Sequence, residues 1–164
     1  MRPTVTATAL SLAAALCTPL AVAADDAPWK APGWEPITAS ERQPVTAEEI
    51  EASAVEVQEN RGVRYLTGGL GAGERAWLEQ HGSAFPVTLR FSKGTRGAFV
   101  SAVDVTIRSR NGQIQFEATT DGPLIYADLP NGSYEATTTY REHQRQFELR
   151  VPAGGQAVRS INFP

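Results

Sequence analysis

The second half of the chain alternates apolar and polar residues with a period of two. The alternation is regular in Phe85–Phe91, Val103–Ile107 and Phe147–Val151. Because successive side chains of a strand point to opposite faces of a sheet, this pattern predicts strands with one buried face. Segments rich in Gly, Asn, Asp and Pro separate the runs, as turns require. We predict strands at 85–92, 101–109, 113–119, 124–128, 133–141, 144–151 and 157–163.

Seven short strands in succession define the expected fold class. They are spaced by about ten residues, and no helical segment lies among them. This arrangement is typical of an all-β chain that packs two sheets face to face. We therefore predict a seven-stranded antiparallel β-sandwich over residues 85–164.

The first 24 residues have the order of features found in a secretory signal peptide. Arg2 is followed by an apolar run at 9–16 and by small residues at 21–24. The run is shorter than the roughly 20 residues that a membrane-spanning helix needs, so we expect cleavage. The only cysteine, Cys17, lies within this segment. The mature chain is therefore expected to be a thiol-free periplasmic or secreted protein without a membrane span.

The charge of the mature chain restricts its partners. Residues 1–24 contain one charged residue, Arg2, so 14 basic and 18 acidic residues remain and the net charge is −4. Nucleic acids and anionic membrane surfaces select clustered lysine and arginine. We expect neither as the main partner, which leaves an envelope protein or a polysaccharide.

Two segments precede the predicted sandwich. Residues 25–45 are Pro-rich and read as a linker or tail that contains Trp29 and Trp34. These tryptophans form either a docking motif or a contact back onto the domain, and we favour the second interpretation. Residues 46–84 form a helical and Gly-rich pre-domain segment.

Local signals within residues 46–84 predict two short helices. Thr46 with Glu49 has the form of a capping box, which predicts a helix over 47–58. The residues at 61–67 read as extended. A second helix is expected at 73–81, ended by a glycine. The glycine-rich residues 68–73 lack the pattern of a phosphate-binding loop and are interpreted as a tight connector.

Three spaced features carry a resemblance to a known family. They are the strand Val103–Ile107, the T-x-D-G turn at Thr119–Gly122 and the L-P-x-G-x-Y turn at Leu129–Tyr134. This half of the chain resembles the carboxypeptidase regulatory-like domain family. The resemblance implies an Ig-like or transthyretin-like β-sandwich that acts as an accessory module and is not itself catalytic. Residues 65–76 resemble a subgroup of exported proteobacterial proteins, from which no activity transfers.

The chain offers few residues for catalysis or metal binding. Its histidines are His81 and His143, and a hydrolase that uses Glu74 with His81 is the enzymatic alternative. A calcium site would draw on Asp104, Asp121 and Asp128, which lack the dense spacing of a calcium loop. We therefore predict no catalytic residue, no cofactor and no metal site.

The remaining interpretation is a non-enzymatic exported binding or structural module. Its candidate binding surface contains exposed aromatic and charged residues of the tail and of the predicted loops. A carbohydrate-binding module is the alternative, with Trp77, Tyr126 and Tyr140 as further candidate rings. The residues predicted for the surface are Trp29, Trp34, Arg96, Phe99, Asp121 and Tyr126.

Overall fold

The structure, a computed structural model, describes residues 44–113 and 115–164. The predicted signal peptide at 1–24, Trp29, Trp34 and nearly all of the predicted linker lie outside the described residues. Two helices are present, α1 at Ala47–Ala52 and α2 at Ala72–His81, and a 3-10 turn follows α2 at Gly82–Ala84. The strands are β1 Gln58–Asn60, β2 Val63–Gly68, β3 Val87–Lys93, β4 Ala98–Phe99, β5 Asp104–Ser109, β6 Gln115–Thr119, β7 Leu124–Ala127, β8 Gly132–Tyr140, β9 His143–Val151 and β10 Ala157–Phe163.

The strands form two sheets, so the expectation of a mainly β chain is confirmed. Sheet A has six strands in the order β1-β2-β7-β3-β10, and β4 pairs with β3 beyond the end of β7. Sheet B has four strands in the order β6-β5-β8-β9. Strands occur within all seven predicted ranges, and β2 occupies the segment expected to be extended. Sequence analysis did not predict β1 or β4.

Two of the predictions about secondary structure are wrong. The sheets are not wholly antiparallel, because β10 pairs with β3 in parallel from Ala157↔Val87 to Phe163↔Lys93. The first helix does not reach residue 58, because it ends at Ala52 and residues 58–60 pair with β2. Its start is as predicted, since Thr46 and Glu49 form both bonds of the capping box. Neither helix in the described part of the chain has the length and apolar character that a membrane span requires.

The main core lies between the two sheets. Alternate residues of β3, β5, β7 and β8 point into it, as the period of two predicts. The predicted core role of Tyr134 is confirmed, and Tyr140 packs partly buried against the same cluster. The largest fully buried side chains are Phe91, Phe116, Phe163, Leu66, Leu78, Leu89, Ile107, Ile125, Leu129, Leu149, Val87 and Val103.

A second, smaller core lies on the outer face of sheet A. Leu66 of β2 and Leu124 and Tyr126 of β7 point away from sheet B and pack against Leu78 of α2 and against Phe85. Helix α2 therefore covers the outer face of the sheet and leaves β2 and β7 buried on both sides. Strand β2 belongs to the predicted pre-domain segment 46–84, yet it is hydrogen-bonded within this sheet.

A buried hydroxyl in the main core gives a test of these packing assignments. The Thr138 side chain is 0% exposed, and its Oγ1 has no hydrogen-bond partner among the described residues. Valine has nearly the same shape and removes the unsatisfied hydroxyl. Thr138→Val should therefore raise the free energy of unfolding by about 1 kcal/mol, measured by urea denaturation.

Thr67 provides the matched control. It is also buried, but its Oγ1 donates to the Leu124 carbonyl at 3.2 Å and accepts from the Asp121 N–H at 3.0 Å. Thr67→Val should lower the free energy of unfolding by roughly 1 to 3 kcal/mol, because it leaves a backbone donor unpaired. Equal effects of the two substitutions would contradict the assignment.

Candidate functional site

The connection from β2 to α2 packs tightly against the turn that precedes β7. Gly122 lies directly on Gly68, and a Cβ at position 122 would collide with the Gly68 carbonyl. Gly69 has φ +92°, which favours glycine, and its Cα faces the Leu124 side chain. Glycines are thus needed at these positions because two backbone segments approach each other closely.

The start of α2 is occupied by a side chain of the helix itself. The Glu74 carboxylate accepts hydrogen bonds from the backbone N–H groups of Leu70, at 2.9 Å, and Gly71, at 3.4 Å. A carboxylate at this position also interacts favourably with the helix dipole. Glu74 therefore fills the place that a phosphate would take at a helix N-terminus.

Arg75 joins the glycine-rich connection to β4. Its Nη2 donates to the Gly69 carbonyl at 3.0 Å, and its Cζ lies 4.9 Å from the centre of the Phe99 ring. Phe99 is nevertheless 57% exposed, and Leu70, the residue after Gly69, is 64% exposed. We call Leu70, Arg75 and Phe99 the Arg75–Phe99 patch. It combines two exposed apolar side chains with a guanidinium group held in place.

Two other predicted surface residues lie at the same end of sheet A as this patch. Arg96 is exposed in the β3–β4 connection, where Gly94 and Gly97 both have positive φ. Asp121 is exposed in the turn that packs on Gly68, and its carboxylate accepts from Gln58 Nε2 at 3.5 Å. The structure thus brings the hairpin of Phe99 and the turn of Asp121 to the same end of sheet A, where the glycine-rich connection also begins.

The prediction that Tyr126 lies at the binding surface is wrong. Tyr126 is 5% exposed and packs beneath α2, where its ring leaves no room for a side chain at Gly82. Burial raises the pKa of its phenol, a shift that Arg90 opposes and Glu79 reinforces. Tyr126 is thus a core residue that holds the helix onto the sheet.

Glu74 and His81 do not form the pair that a hydrolase would need. They are seven positions apart in the helix, which is about 10 Å along the helix axis. The Nδ1 of His81 is hydrogen-bonded to the carbonyl of Trp77 at 2.9 Å, and the two rings stack with their centres 4.2 Å apart. Each of the two side chains is therefore engaged in local helix contacts.

The rings considered for sugar stacking are also engaged. Trp77 stacks on His81, and Tyr140 lies beside Phe163, with 5.6 Å between ring centres. The Arg141 guanidinium lies 5.3 Å from the Tyr140 ring. Phe99 is the large aromatic side chain that is exposed among the described residues.

The acidic residues considered for calcium have separate partners. Asp104 accepts from the Thr119 hydroxyl at 2.6 Å, and Asp128 pairs with Arg64 at 2.6 Å. Within residues 44–113 and 115–164, no cluster of three or more His, Cys, Asp or Glu side chains could hold a metal ion.

Sequence reasoning missed two members of the patch. Leu70 is an isolated apolar residue among glycines, and that pattern could have indicated its exposure. Arg75 gave no such signal, because its contact with Phe99 joins residues 24 positions apart in the chain. Only the packing of α2 on sheet A brings them together.

Comparisons with known proteins leave the family open. No protein-family model matches the chain, and no curated protein matches it. The major pilin subunit of Bacillus cereus matches over 46% of this chain and 28% of its own, with 10% identity and a TM-score of 0.37. The TIE protein of Bacillus anthracis matches over 46% of this chain and 15% of its own, with 16% identity and a TM-score of 0.33. The chain thus spans less than a third of either protein, and similarity this low supports no inference about function.

The buried phenol of Tyr126 predicts a pH dependence of stability. Its pKa is raised above the ordinary value of 10.0 in the folded protein, so the folded state keeps a proton that the unfolded state releases. The free energy of unfolding should therefore fall as the pH rises from about 9 to about 11. Tyr126→Phe should weaken this fall, as measured by urea denaturation across that range. Parallel profiles for the wild type and the variant, offset only by their difference at neutral pH, would contradict the assignment.

Proposed function

We propose that this chain is a non-enzymatic exported binding module that engages an envelope protein through the Arg75–Phe99 patch. The observation that carries the proposal is the exposed Phe99 ring held beside the guanidinium of Arg75, which also binds the carbonyl of Gly69, the residue that precedes the exposed Leu70. Exposed apolar side chains grouped on a surface are typical of interaction sites. Aromatic residues and arginine are also the residue types that contribute most to protein interfaces.

The patch is built on one restrained side chain and one restrained backbone segment. Arg75 is fixed by the Gly69 carbonyl, and the connection that carries Leu70 is fixed by the Glu74 carboxylate. Side chains that are ordered before binding lose less conformational entropy when a partner arrives.

A protein partner is favoured over a polysaccharide by the arrangement of aromatic rings. Sugar binding on a sheet needs ring faces open to the solvent. Tyr126 is buried, and Trp77 stacks on His81. Phe99 has Arg75 against its ring. An apolar residue paired with a cation suits a mixed protein surface better than a sugar ring.

The place of action and the finer fold are part of the same proposal. Export to the periplasm or the outside rests on the signal-peptide pattern of residues 1–24. We further propose that the strands after residue 85 form the Ig-like or transthyretin-like sandwich that the family resemblance implies. The three-strand arrangement β7-β3-β10 facing β6-β5-β8-β9 supports it. Strand β2 then extends one sheet and carries α2.

Site-specific crosslinking in cells tests the patch. The photoreactive residue benzoylphenylalanine would replace Leu70, and envelope fractions would be analysed by mass spectrometry after irradiation. We expect a discrete adduct with one envelope protein, and we expect Phe99→Ser in the same chain to abolish it. The substitution should leave thermal unfolding nearly unchanged, because Phe99 is largely exposed.

Val57 supplies the matched control. It is 50% exposed and lies in the connection between α1 and β1, outside the three residues of the patch. Benzoylphenylalanine at position 57 should give no such adduct, and Val57→Ser should not reduce the adduct formed from position 70. The same adduct from both positions, or an adduct that survives Phe99→Ser, would refute the proposed surface. Co-sedimentation with envelope polysaccharide that depends on Phe99 would favour the carbohydrate alternative.

A further inference from the structure

The two sides of the sandwich differ in how the sheets meet. On one side, β1 of sheet A is linked to β6 of sheet B, because the Glu117 N–H donates to Asn60 Oδ1 at 3.3 Å and Arg61 pairs with Glu117 at 3.4 Å. On the other side, β10 of sheet A lies beside β9 of sheet B. Within the described chain no hydrogen bond joins these two strands. A groove remains open between them.

We call this groove the β9–β10 seam. Its volume is about 460 Å³. Four residues of each strand line it, which corresponds to a length of about 13 Å at the rise of an extended chain. The lining residues are Arg145, Gln146, Phe147 and Glu148 of β9 and Arg159, Ser160, Ile161 and Asn162 of β10.

Strand β10 presents unpaired backbone groups to the seam. The Ala157 N–H donates to the Pro86 carbonyl at 2.7 Å, and the Phe163 carbonyl accepts from the Gly94 N–H at 2.8 Å. In a parallel pair, alternate residues bond to the same neighbour, so residues 158, 160 and 162 direct their N–H and C=O groups away from β3. In the described chain β10 has no second neighbour, and β9 pairs with β8 alone. Such free edges can accept another strand.

The seam has an apolar floor. Ile161 is buried and Phe147 is half-buried, and both belong to or pack against the core between the sheets. Arg159 lies two residues before Ile161, and Arg145 lies two residues before Phe147. Because residues two apart in a strand share a face, each arginine points to the same side as the apolar residue that follows it.

The charges in the seam are not balanced. Neither Arg145 nor Arg159 makes a hydrogen bond or an ion pair with another described residue. Glu148 is the carboxylate in the lining, and it is already bound by Arg110 at 3.2 Å and Arg150 at 3.3 Å. The seam therefore exposes two uncompensated positive charges beside an apolar floor.

We propose that the β9–β10 seam binds an extended acidic segment of a partner protein, which adds to the free edge of β10 as a further strand. Strand addition supplies backbone hydrogen bonds, and side-chain pockets supply selectivity. Arg159 and Ile161 are two positions apart on β10. The partner segment should therefore carry an acidic residue, which pairs with Arg159, two positions from an apolar residue, which packs on Ile161. This surface is distinct from the Arg75–Phe99 patch and goes beyond the function proposed for it.

Titration with synthetic peptides tests this inference on the mature chain, residues 25–164. The probe is acetyl-Ser-Asp-Thr-Val-Thr-Asp-Ser-amide, and the comparison peptide carries lysine in place of both aspartates. Binding is followed by the amide signals of the ¹⁵N-labelled protein. We expect saturable shifts at residues 144–148 and 158–162 with the acidic peptide. The lysine peptide should bind about tenfold more weakly or not at all, because it meets two cations instead of forming two ion pairs.

Variants separate the contribution of charge from that of strand pairing. The double substitution Arg145→Gln with Arg159→Gln should weaken acidic-peptide binding about tenfold. Arg108→Gln is the matched control, because Arg108 is an exposed arginine of β5 outside the seam, and it should leave binding unchanged. Two further acidic peptides carry N-methyl groups on the odd-numbered or on the even-numbered backbone nitrogens. At least one of these two N-methylated peptides should lose binding, because alternate residues of a strand bond to the same neighbour. These probes test the backbone bonds without altering the protein.

Three outcomes would overturn the inference. They are equal binding of the acidic and lysine peptides, unchanged binding of both N-methylated peptides, and an absence of amide shifts at β10. Concentration-dependent shifts of the same residues without peptide would also overturn it, because a second copy of the chain would then occupy the seam. Phe99→Ser should not affect the titration, so failure here and failure of the function proposed for the patch can be told apart.

Discussion

The pairing of β2 with β7 is the contact on which the rest of the structure depends. Strand β7 is buried along its whole length, with alternate residues directed to the core between the sheets and to α2. Strand β2 leads directly into the connection that places α2 on the sheet. Without this cover Leu124 and Tyr126 would face water, and burying side chains of this size contributes roughly 1.5 to 3 kcal/mol each. The segment before residue 85 is therefore required by the outer face of sheet A.

The sequence allowed much of the fold to be predicted, for a physical reason that also sets the limit. Alternation reports which face of a strand is buried, and strands occur in all the ranges where it was found. It contains no information about the direction of the neighbouring strand, so the parallel pairing of β3 with β10 could not be predicted. The capping box at Thr46 fixed the start of α1, whereas its end depended on the distant pairing of residues 58–60 with β2.

The candidate site was less predictable, because its geometry arises from contacts between elements far apart in the chain. Phe99 was identified from its place in a loop-rich segment. Tyr126 was misassigned because a strand buried on both faces reads as a continuous apolar run, which does not show that a helix covers its second face. The role of Arg75, and the open seam between β9 and β10, follow only from the packing of helix and sheets.

The net charge of the chain does not conflict with an acidic partner at the seam. A charge of −4 would repel an acidic segment if it acted at long range. At physiological ionic strength, however, interactions between exposed charges are screened beyond about 8 Å. Over the seam, the nearest charges are Arg145 and Arg159, while Glu148 is neutralised by Arg110 and Arg150. The local charge therefore decides which segment binds. The net charge still argues against nucleic acid, because a polyanion needs many clustered cations and the seam offers two.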